Sequence, residues 1–176
     1  MRRISVLFFF SLFAPIFGRA QAFGLSAHTT IGITGGARES FITVPAPSLF
    51  FYSYSATTTS AGRLGSVTGY SRAVPEVGAL ADLLHRDFRL ILARLTEKYG
   101  SFSAFSLSGP VTQLSDDDLA LLRDVRIEWL CGADRSDGLA AVVLEKLPPL
   151  QHAPWGYSLT YSFISSRDTT NLYRGL

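Results

Sequence analysis

One short stretch, IEWLCGADRSDGLAAVVLEK at residues 127–146, gathers the residue types that can do chemistry. It holds the one cysteine of the chain, Cys131, together with Asp134 and Asp137. A cysteine thiolate can act as a nucleophile beside a histidine, and clustered carboxylates can bind a cation. The aspartates have the spacing D-x-x-D-G, however, whereas a calcium loop needs D-x-D-x-D-G. Asp137-Gly138 is instead a strong turn signal between two strand-like runs, so the stretch predicts a hairpin.

Cys131 is predicted to be a packed thiol rather than a nucleophile. In residues 125–131 the apolar side chains alternate with more polar ones, which predicts a strand with one apolar face that carries Val125, Ile127, Trp129 and Cys131. A single cysteine cannot form an intrachain disulfide, so it is buried, free or paired with another chain. Burial is the commonest of these fates.

The other candidate groups also lack a pattern with chemical meaning. The histidines His28, His85 and His152 stand far apart and match no zinc-binding spacing. The glycines of residues 33–40 are adjacent and precede a strand-like run, unlike those of a phosphate loop. The acidic run 116–118 suits the first turn of a helix without any ion. No nucleophile elbow of the form G-x-S-x-G occurs. We therefore assign no catalytic residue, no metal ligand and no cofactor.

The first 22 residues have the three parts of a secretory signal peptide. Arg2 and Arg3 precede an apolar run at residues 4–17, and Ala20 and Ala22 occupy the −3 and −1 positions of a cleavage site. The apolar run is shorter than the roughly twenty residues of a membrane-spanning helix. We expect cleavage after Ala22 and a mature chain of residues 23–176, located in the periplasm or secreted.

The charge of the expected mature chain argues against nucleic-acid binding. Arg2, Arg3 and Arg19 are three of the 16 Lys and Arg residues, and all 14 Asp and Glu residues follow residue 22, so the mature net charge is −1. No cluster of Lys or Arg is present to neutralise phosphates. The cysteine needed for a lipid anchor is also missing near the cleavage point. Contact with a membrane stays open.

Two helices are expected. Apolar residues at spacings of three and four over residues 76–99 predict a long amphipathic helix, with Pro75 in its first turn and Gly100 just past its end. Ser115 resembles an N-cap and predicts a short helix reaching about residue 125. Residues 56–73 are small and polar, which predicts a flexible loop.

The remaining patterns predict strands and an α+β fold. Extended segments are expected at residues 28–36, 41–55, 101–107, 125–131, 139–147 and 157–164, followed by a polar tail at 166–176. Residues 157–164 alternate most strictly, which is typical of an antiparallel sheet with one buried face. The sequence thus predicts a single domain with a mostly antiparallel or mixed sheet, packed with the long helix and the short helix.

In the order of its elements, the run 41–164 resembles the small α/β domains of envelope assembly proteins, such as the N-terminal domain of the TolB family and the curli-secretion lipoproteins. This resemblance implies a role in the cell envelope. The export signal, together with the absence of any converging set of titratable groups in the sequence, favours a non-catalytic binding or assembly module with an envelope protein as its partner. An outer-membrane-associated component, or an envelope hydrolase with an unrecognised site, is the alternative.

Overall fold

A computed structural model describes residues 22–31, 39–59, 61–75, 78–106, 109–111, 115, 124–131, 138–147 and 156–163. These residues form one eight-stranded sheet and one long helix, a mixed α+β fold that is mostly sheet. The strand order is β1-β2-β3-β8-β7-β6-β4-β5, and each neighbouring pair is antiparallel. The elements, in chain order, are β1 Ser40–Phe41, β2 Ser53–Thr58, β3 Leu64–Tyr70, α1 Ala79–Tyr99, β4 Ser103–Ser106, β5 Gly109–Val111, β6 Arg126–Leu130, β7 Leu139–Leu147 and β8 Gly156–Phe163.

The core lies on one face of the sheet, which we call the inner face. Alternation in β6, in β8 and in β7 after a bulge between Leu139 and Ala141 turns every second side chain to this face, and the register places Leu144 opposite both Ile127 and Leu159. The apolar stripe of α1 packs on it: Phe88 is fully buried and meets the Tyr157 ring edge-on, with centroids 5.9 Å apart. The stripe of the helix therefore buries against the middle strands of the sheet.

Phe23, within the described segment 22–31, covers the β2–β3 half of the inner face. The Phe23 ring packs edge-on against Phe51, Tyr54 and Tyr161, with centroids 5.4, 4.8 and 5.6 Å away. Gly69 makes room for these rings, because a Cβ there would lie 2.8 Å from Phe51 Cγ. Such close approach of ring and backbone is a common reason for glycine within a strand.

The outer face of the same strands carries hydroxyl groups in place of apolar side chains. Thr68 and Thr160 stand opposite each other on β3 and β8, with hydroxyl oxygens 3.0 Å apart. Thr57 and Ser66 make the same kind of contact at 2.8 Å between β2 and β3. The two faces thus differ as the alternation in residues 157–164 predicted.

Several of the sequence-based expectations are confirmed. The long helix ends at Tyr99, followed by Gly100 at φ 81°, and Lys98 lies in its last turn. Its predicted start was wrong: the helix begins at Ala79 and not in a turn that contains Pro75, because Gly78 precedes it with φ 108°, a conformation that glycine adopts readily. The strands expected at residues 125–131, 139–147 and 157–164 are β6, β7 and β8. β6 and β7 are adjacent and antiparallel, as the hairpin predicted.

Two further points differ from the expectations. The predicted loop at residues 56–73 contains the end of β2 and the whole of β3, which pairs with β2 and β8. Small residues such as Gly69 allow close packing of neighbouring rings on this strand. They also interrupt the alternation of apolar and polar residues by which a strand is recognised. The sequence also missed β5, a short edge strand at Gly109–Val111 that pairs with β4. Proline, as at Pro110, is tolerated in an edge strand because a backbone N–H on the solvent side of that strand is not needed for pairing.

The remaining expectations lie outside the described residues. They are the signal peptide up to residue 21, most of the extended segment at 28–36, the short helix between Ser115 and residue 124, the turn at 132–137 and the tail at 166–176. Each of them stays a prediction. Among the described helices, none is long and apolar enough to cross a membrane.

Candidate functional site

A concave site of about 320 Å³ lies between α1, the loop before β2 and the end of β3. Residues 49–52, Ser71 and Arg72, Leu84 and Asp87 of α1, and Tyr157 of β8 line it. Its volume lies at the lower end of the range found for small-molecule sites. We call it the Arg72–Asp87 pocket.

Tyr157 forms the floor of the pocket, and hydrogen bonds hold it in place. Its backbone N–H donates to Ser71 Oγ at 2.9 Å, and its carbonyl accepts from the Ser71 N–H at 2.9 Å. Its hydroxyl donates to the carbonyl oxygen of Phe50 at 3.3 Å. Burial, and after it the negative charge of Asp87, raises the pKa of this phenol, so Tyr157 is neutral at physiological pH.

Arg72 and Asp87 bring opposite charges to the pocket lining. The guanidinium carbon of Arg72 lies 5.2 Å from the centroid of the exposed Tyr52 ring, a cation–π arrangement that orients the side chain. Asp87 is part-buried and has a long contact with Arg86, whose Nε is 3.9 Å from Oδ1. Within the described residues, no ion pair joins Arg72 to Asp87.

The loop that supplies residues 49–52 is braced from the core. The Ser48 N–H donates to the Tyr54 hydroxyl oxygen at 2.7 Å, and that hydroxyl donates to the Ser48 carbonyl at 3.2 Å. The Phe51 ring packs edge-on against Tyr157, with centroids 5.9 Å apart. One wall of the pocket is therefore a loop anchored by two buried aromatic residues, which favours a largely preformed site.

Of the residues that could do chemistry by sequence, the described part of the chain places Cys131 on the inner face. Cys131 is half-buried against the core, and its Sγ lies 4.0 Å from the Trp129 carbonyl oxygen. Trp129 is fully buried and donates its indole N–H to the carbonyl of Gly100 at 3.1 Å. Both therefore continue the inner face, as the alternation in β6 predicted.

The other candidates lie elsewhere or outside the described residues. His85 is half-buried on α1, which fits its place at the margin of the apolar stripe, and His28 precedes a β-bridge at Thr30. His152, the acidic run 116–118, Asp134 and Asp137 and most of residues 33–40 are not described. Among the residues that are, no group of three His, Cys, Asp or Glu side chains could hold a metal ion.

A second polar cluster joins β1 to the outer face of the sheet. Ser55 Oγ and the Tyr70 hydroxyl both donate to Oε1 of Glu39. These two hydrogen bonds, that of Ser55 first, lower the pKa of Glu39. A carboxylate with a lowered pKa is a weak base, and Ser55 is 2 % exposed. The cluster therefore suits fixing the chain before β1 better than activating the serine.

Sequence reasoning missed one buried cation. Lys146 points to the inner face opposite Tyr157 and is 1 % exposed. Its Nζ lies 4.9 Å from the centroid of the Phe88 ring, and burial lowers its pKa to about 8. The alternation of β7 could have found it, because Lys146 shares the parity of Val142 and Leu144.

The pocket residues were also missed. Arg72 falls in the predicted loop and Asp87 within the predicted long helix, and the pairing of β3 with β8 together with the packing of α1 on the inner face brings them to one site. Comparison with protein-family models, with curated proteins and with solved structures finds no match to this chain. The resemblance in element order to envelope assembly domains thus gains no support from known structures.

Proposed function

We propose that this protein is an exported, non-catalytic binding module of the cell envelope, working in the periplasm, and that the Arg72–Asp87 pocket is its binding site. The observation that carries the proposal is the pocket itself: a cavity of about 320 Å³ with aromatic and aliphatic walls and two oppositely charged groups. Small-molecule sites combine apolar walls with a few convergent polar groups, and this lining offers polar and apolar surface in about equal share.

The groups around the pocket favour binding over catalysis. Ser71 Oγ accepts from the Tyr157 amide and donates to the Arg72 carbonyl at 3.0 Å, so its hydroxyl is engaged by the backbone. The lining consists of described residues and includes no histidine or cysteine. Nucleophilic catalysis needs a nucleophile within reach of a base, and Asp87 is the one carboxylate in this lining.

Export is supported by the composition of residues 1–22 and is compatible with the packing of the residues that follow. Phe23, the first residue of the expected mature chain, lies within the aromatic cluster of Phe51, Tyr54 and Tyr161, so a chain beginning there keeps its core. Ala22 is 2 % exposed, and its N–H and C=O are both bonded to Leu25. A protease needs an extended, accessible segment, so we propose that cleavage precedes folding.

A protein partner in the envelope is proposed to bind beside the pocket. Leu49 and Tyr52 on the loop, and Leu80 and Leu83 on the neighbouring turn of α1, are exposed. Exposed apolar side chains of this size mark interaction surfaces when they adjoin one another. The same exposed residues would contact the membrane if the protein were an outer-membrane-associated component. Detergent-dependent solubility of the native protein would indicate that alternative.

Binding is tested by saturation-transfer NMR of the mature protein with a panel of small apolar and amphipathic compounds. We expect binders that are weakened by Tyr52→Ala, which removes one pocket wall and the support of Arg72. Phe41→Ala is the matched control, because Phe41 is an equally exposed aromatic residue away from the pocket lining. Equal weakening by both variants, or no binder at all, would refute the pocket as the binding site.

Export is tested by cell fractionation of the native protein with intact-mass analysis. We expect the mass of residues 23–176 in the periplasmic or secreted fraction. A full-length mass, or recovery from the cytoplasm, would overturn the proposal. A separate incubation of folded precursor with signal peptidase is expected to leave it uncut, whereas urea-unfolded precursor diluted into the same reaction is cut.

A further inference from the structure

We propose that the Arg72–Asp87 pocket takes a small zwitterion with an apolar body, of the chemistry of an aromatic or aliphatic amino acid. In this arrangement the carboxylate of the ligand meets Arg72 and its ammonium group meets Asp87. The inference rests on the proposed binding function and names the class of ligand for the same pocket.

Arg72 suits the anionic end of such a ligand. Its guanidinium lies over the Tyr52 ring at 5.2 Å, and its backbone carbonyl is held by Ser71 Oγ at 3.0 Å. A guanidinium presents several N–H donors in one plane and binds carboxylates through two parallel hydrogen bonds. Among the described residues, no carboxylate forms an ion pair with it, so these donors remain available to a ligand.

Asp87 suits the cationic end. It lies one helical turn after Leu83 on α1 and belongs to the same pocket lining as Arg72. Its contact with Arg86, at 3.9 Å, is too long for a hydrogen bond and involves a largely exposed partner. The carboxylate can therefore accept hydrogen bonds from an ammonium group that enters the pocket.

The apolar residues of the lining would contact the body of the ligand, beside the two charges. Phe51, Leu84 and Tyr157 belong to this lining, and the Phe51 and Tyr157 rings, which pack edge-on, offer apolar surface to an aromatic or branched aliphatic group. A ligand with a negative charge alone would leave Asp87 without an ammonium partner, and one with a positive charge alone would leave Arg72 without a carboxylate partner. Either ligand forgoes one charge-assisted hydrogen bond, so the pocket favours a ligand with both charges.

Three related compounds separate these contributions: L-phenylalanine, 3-phenylpropionate, which lacks the ammonium group, and 2-phenylethylamine, which lacks the carboxylate. NMR titration of the mature protein near neutral pH is expected to show L-phenylalanine binding about tenfold more tightly than either truncated compound. Arg72→Gln is expected to make L-phenylalanine and 2-phenylethylamine equal. Asp87→Asn is expected to make L-phenylalanine and 3-phenylpropionate equal.

The controls are Arg94→Gln and Asp82→Asn, exposed residues of α1 outside the pocket, which are expected to leave all three affinities unchanged. If a truncated compound binds as tightly as L-phenylalanine, the pocket binds ligands but not as a zwitterion site, and the inference alone is overturned. If none of the three binds, the inference also fails, and the wider compound panel decides the binding function. Binding to phosphatidylethanolamine vesicles without binding to L-phenylalanine would overturn it in favour of a lipid headgroup.

Discussion

Replacing the buried Lys146 with methionine is expected to change how the stability of the protein depends on pH. Burial lowers the pKa of Lys146 from 10.5 to about 8, because the charged ammonium is disfavoured on the inner face beside Phe88. Between these two values the unfolded chain holds the proton and the folded chain does not. The free energy of unfolding therefore rises as pH increases through this window, and below about pH 8 the folded state carries the full penalty.

The size of the effect follows from the shift. A difference of about 2.5 pKa units corresponds to about 3 kcal/mol of lost stability at low pH, and about 2 kcal/mol of this is regained between about pH 7 and pH 9.5. Methionine has no proton to lose and fits a similar volume. Lys146→Met is thus expected to be the more stable protein near neutral pH, with an advantage that shrinks by about 2 kcal/mol at pH 9.5.

The assay is denaturant unfolding followed by tryptophan fluorescence at several pH values in that window. Lys98→Met is the matched control, because Lys98 is exposed in the last turn of α1 and its replacement is expected to give no pH-dependent difference. The window ends below pH 10, since burial raises the pKa values of Tyr157 and Tyr161 and their ionisation in the unfolded chain lowers stability above that point. A constant difference between Lys146→Met and the wild type would refute the reasoning.

Three further changes test the packing. Gly69→Ala is expected to lower the free energy of unfolding by about 1–3 kcal/mol, because the added Cβ would lie 2.8 Å from Phe51 Cγ; an unchanged value would contradict the close packing of β3. The Glu39 carboxylate is expected to stabilise the fold above pH 4.5, and this contribution is lost as pH falls through the lowered pKa of the group. Glu39→Gln is expected to remove the contribution, which is measured as the dependence of thermal unfolding on pH. If the variant and the wild type had the same pH dependence, the hydrogen bond from Tyr70 would not stabilise the fold. Trp129→Phe removes the indole N–H that donates to the Gly100 carbonyl. It is expected to lower the free energy of unfolding by about 1–3 kcal/mol in denaturant unfolding, and an unchanged value would argue against that hydrogen bond.

Much of the sheet could be predicted because its strands alternate cleanly. In β8, Tyr157 and Leu159 differ from Ser158 and Thr160 in polarity, so periodicity alone assigns the inner face. The long helix was equally accessible, since its apolar stripe and its final glycine are local features. Such elements carry their structural signal within a few consecutive residues.

β3 could not be recognised in the same way. Its sequence LGSVTGY places Gly69 where the alternation calls for a core side chain, because rings from two other segments fill that space. The glycine is thus required by a tertiary contact. From composition alone, the segment that contains it was assigned to a loop. Lys146 differs from this case: the parity of β7 assigns it to the inner face, but its contact with the Phe88 ring is a tertiary feature that the sequence does not show.

The pocket was out of reach of sequence patterns for a related reason. Tyr52, Arg72, Asp87 and Tyr157 come from four separated parts of the chain, and no local spacing connects them. The pairing of β3 with β8 and the return of α1 over the inner face are what bring them together. A binding site of this kind is defined by topology, whereas metal and nucleotide motifs often have a local signature.

The central claim is that the protein binds a small ligand in the Arg72–Asp87 pocket, and chemical-shift mapping tests it most directly. Isotope-labelled mature protein is titrated with L-phenylalanine, or with the strongest compound of the wider panel. We expect saturable changes in the amide chemical shifts of residues 49–52, Ser71, Arg72, Asp87 and Tyr157. Shifts centred instead on the hydroxyl-bearing outer face, around Thr68 and Thr160, would contradict it.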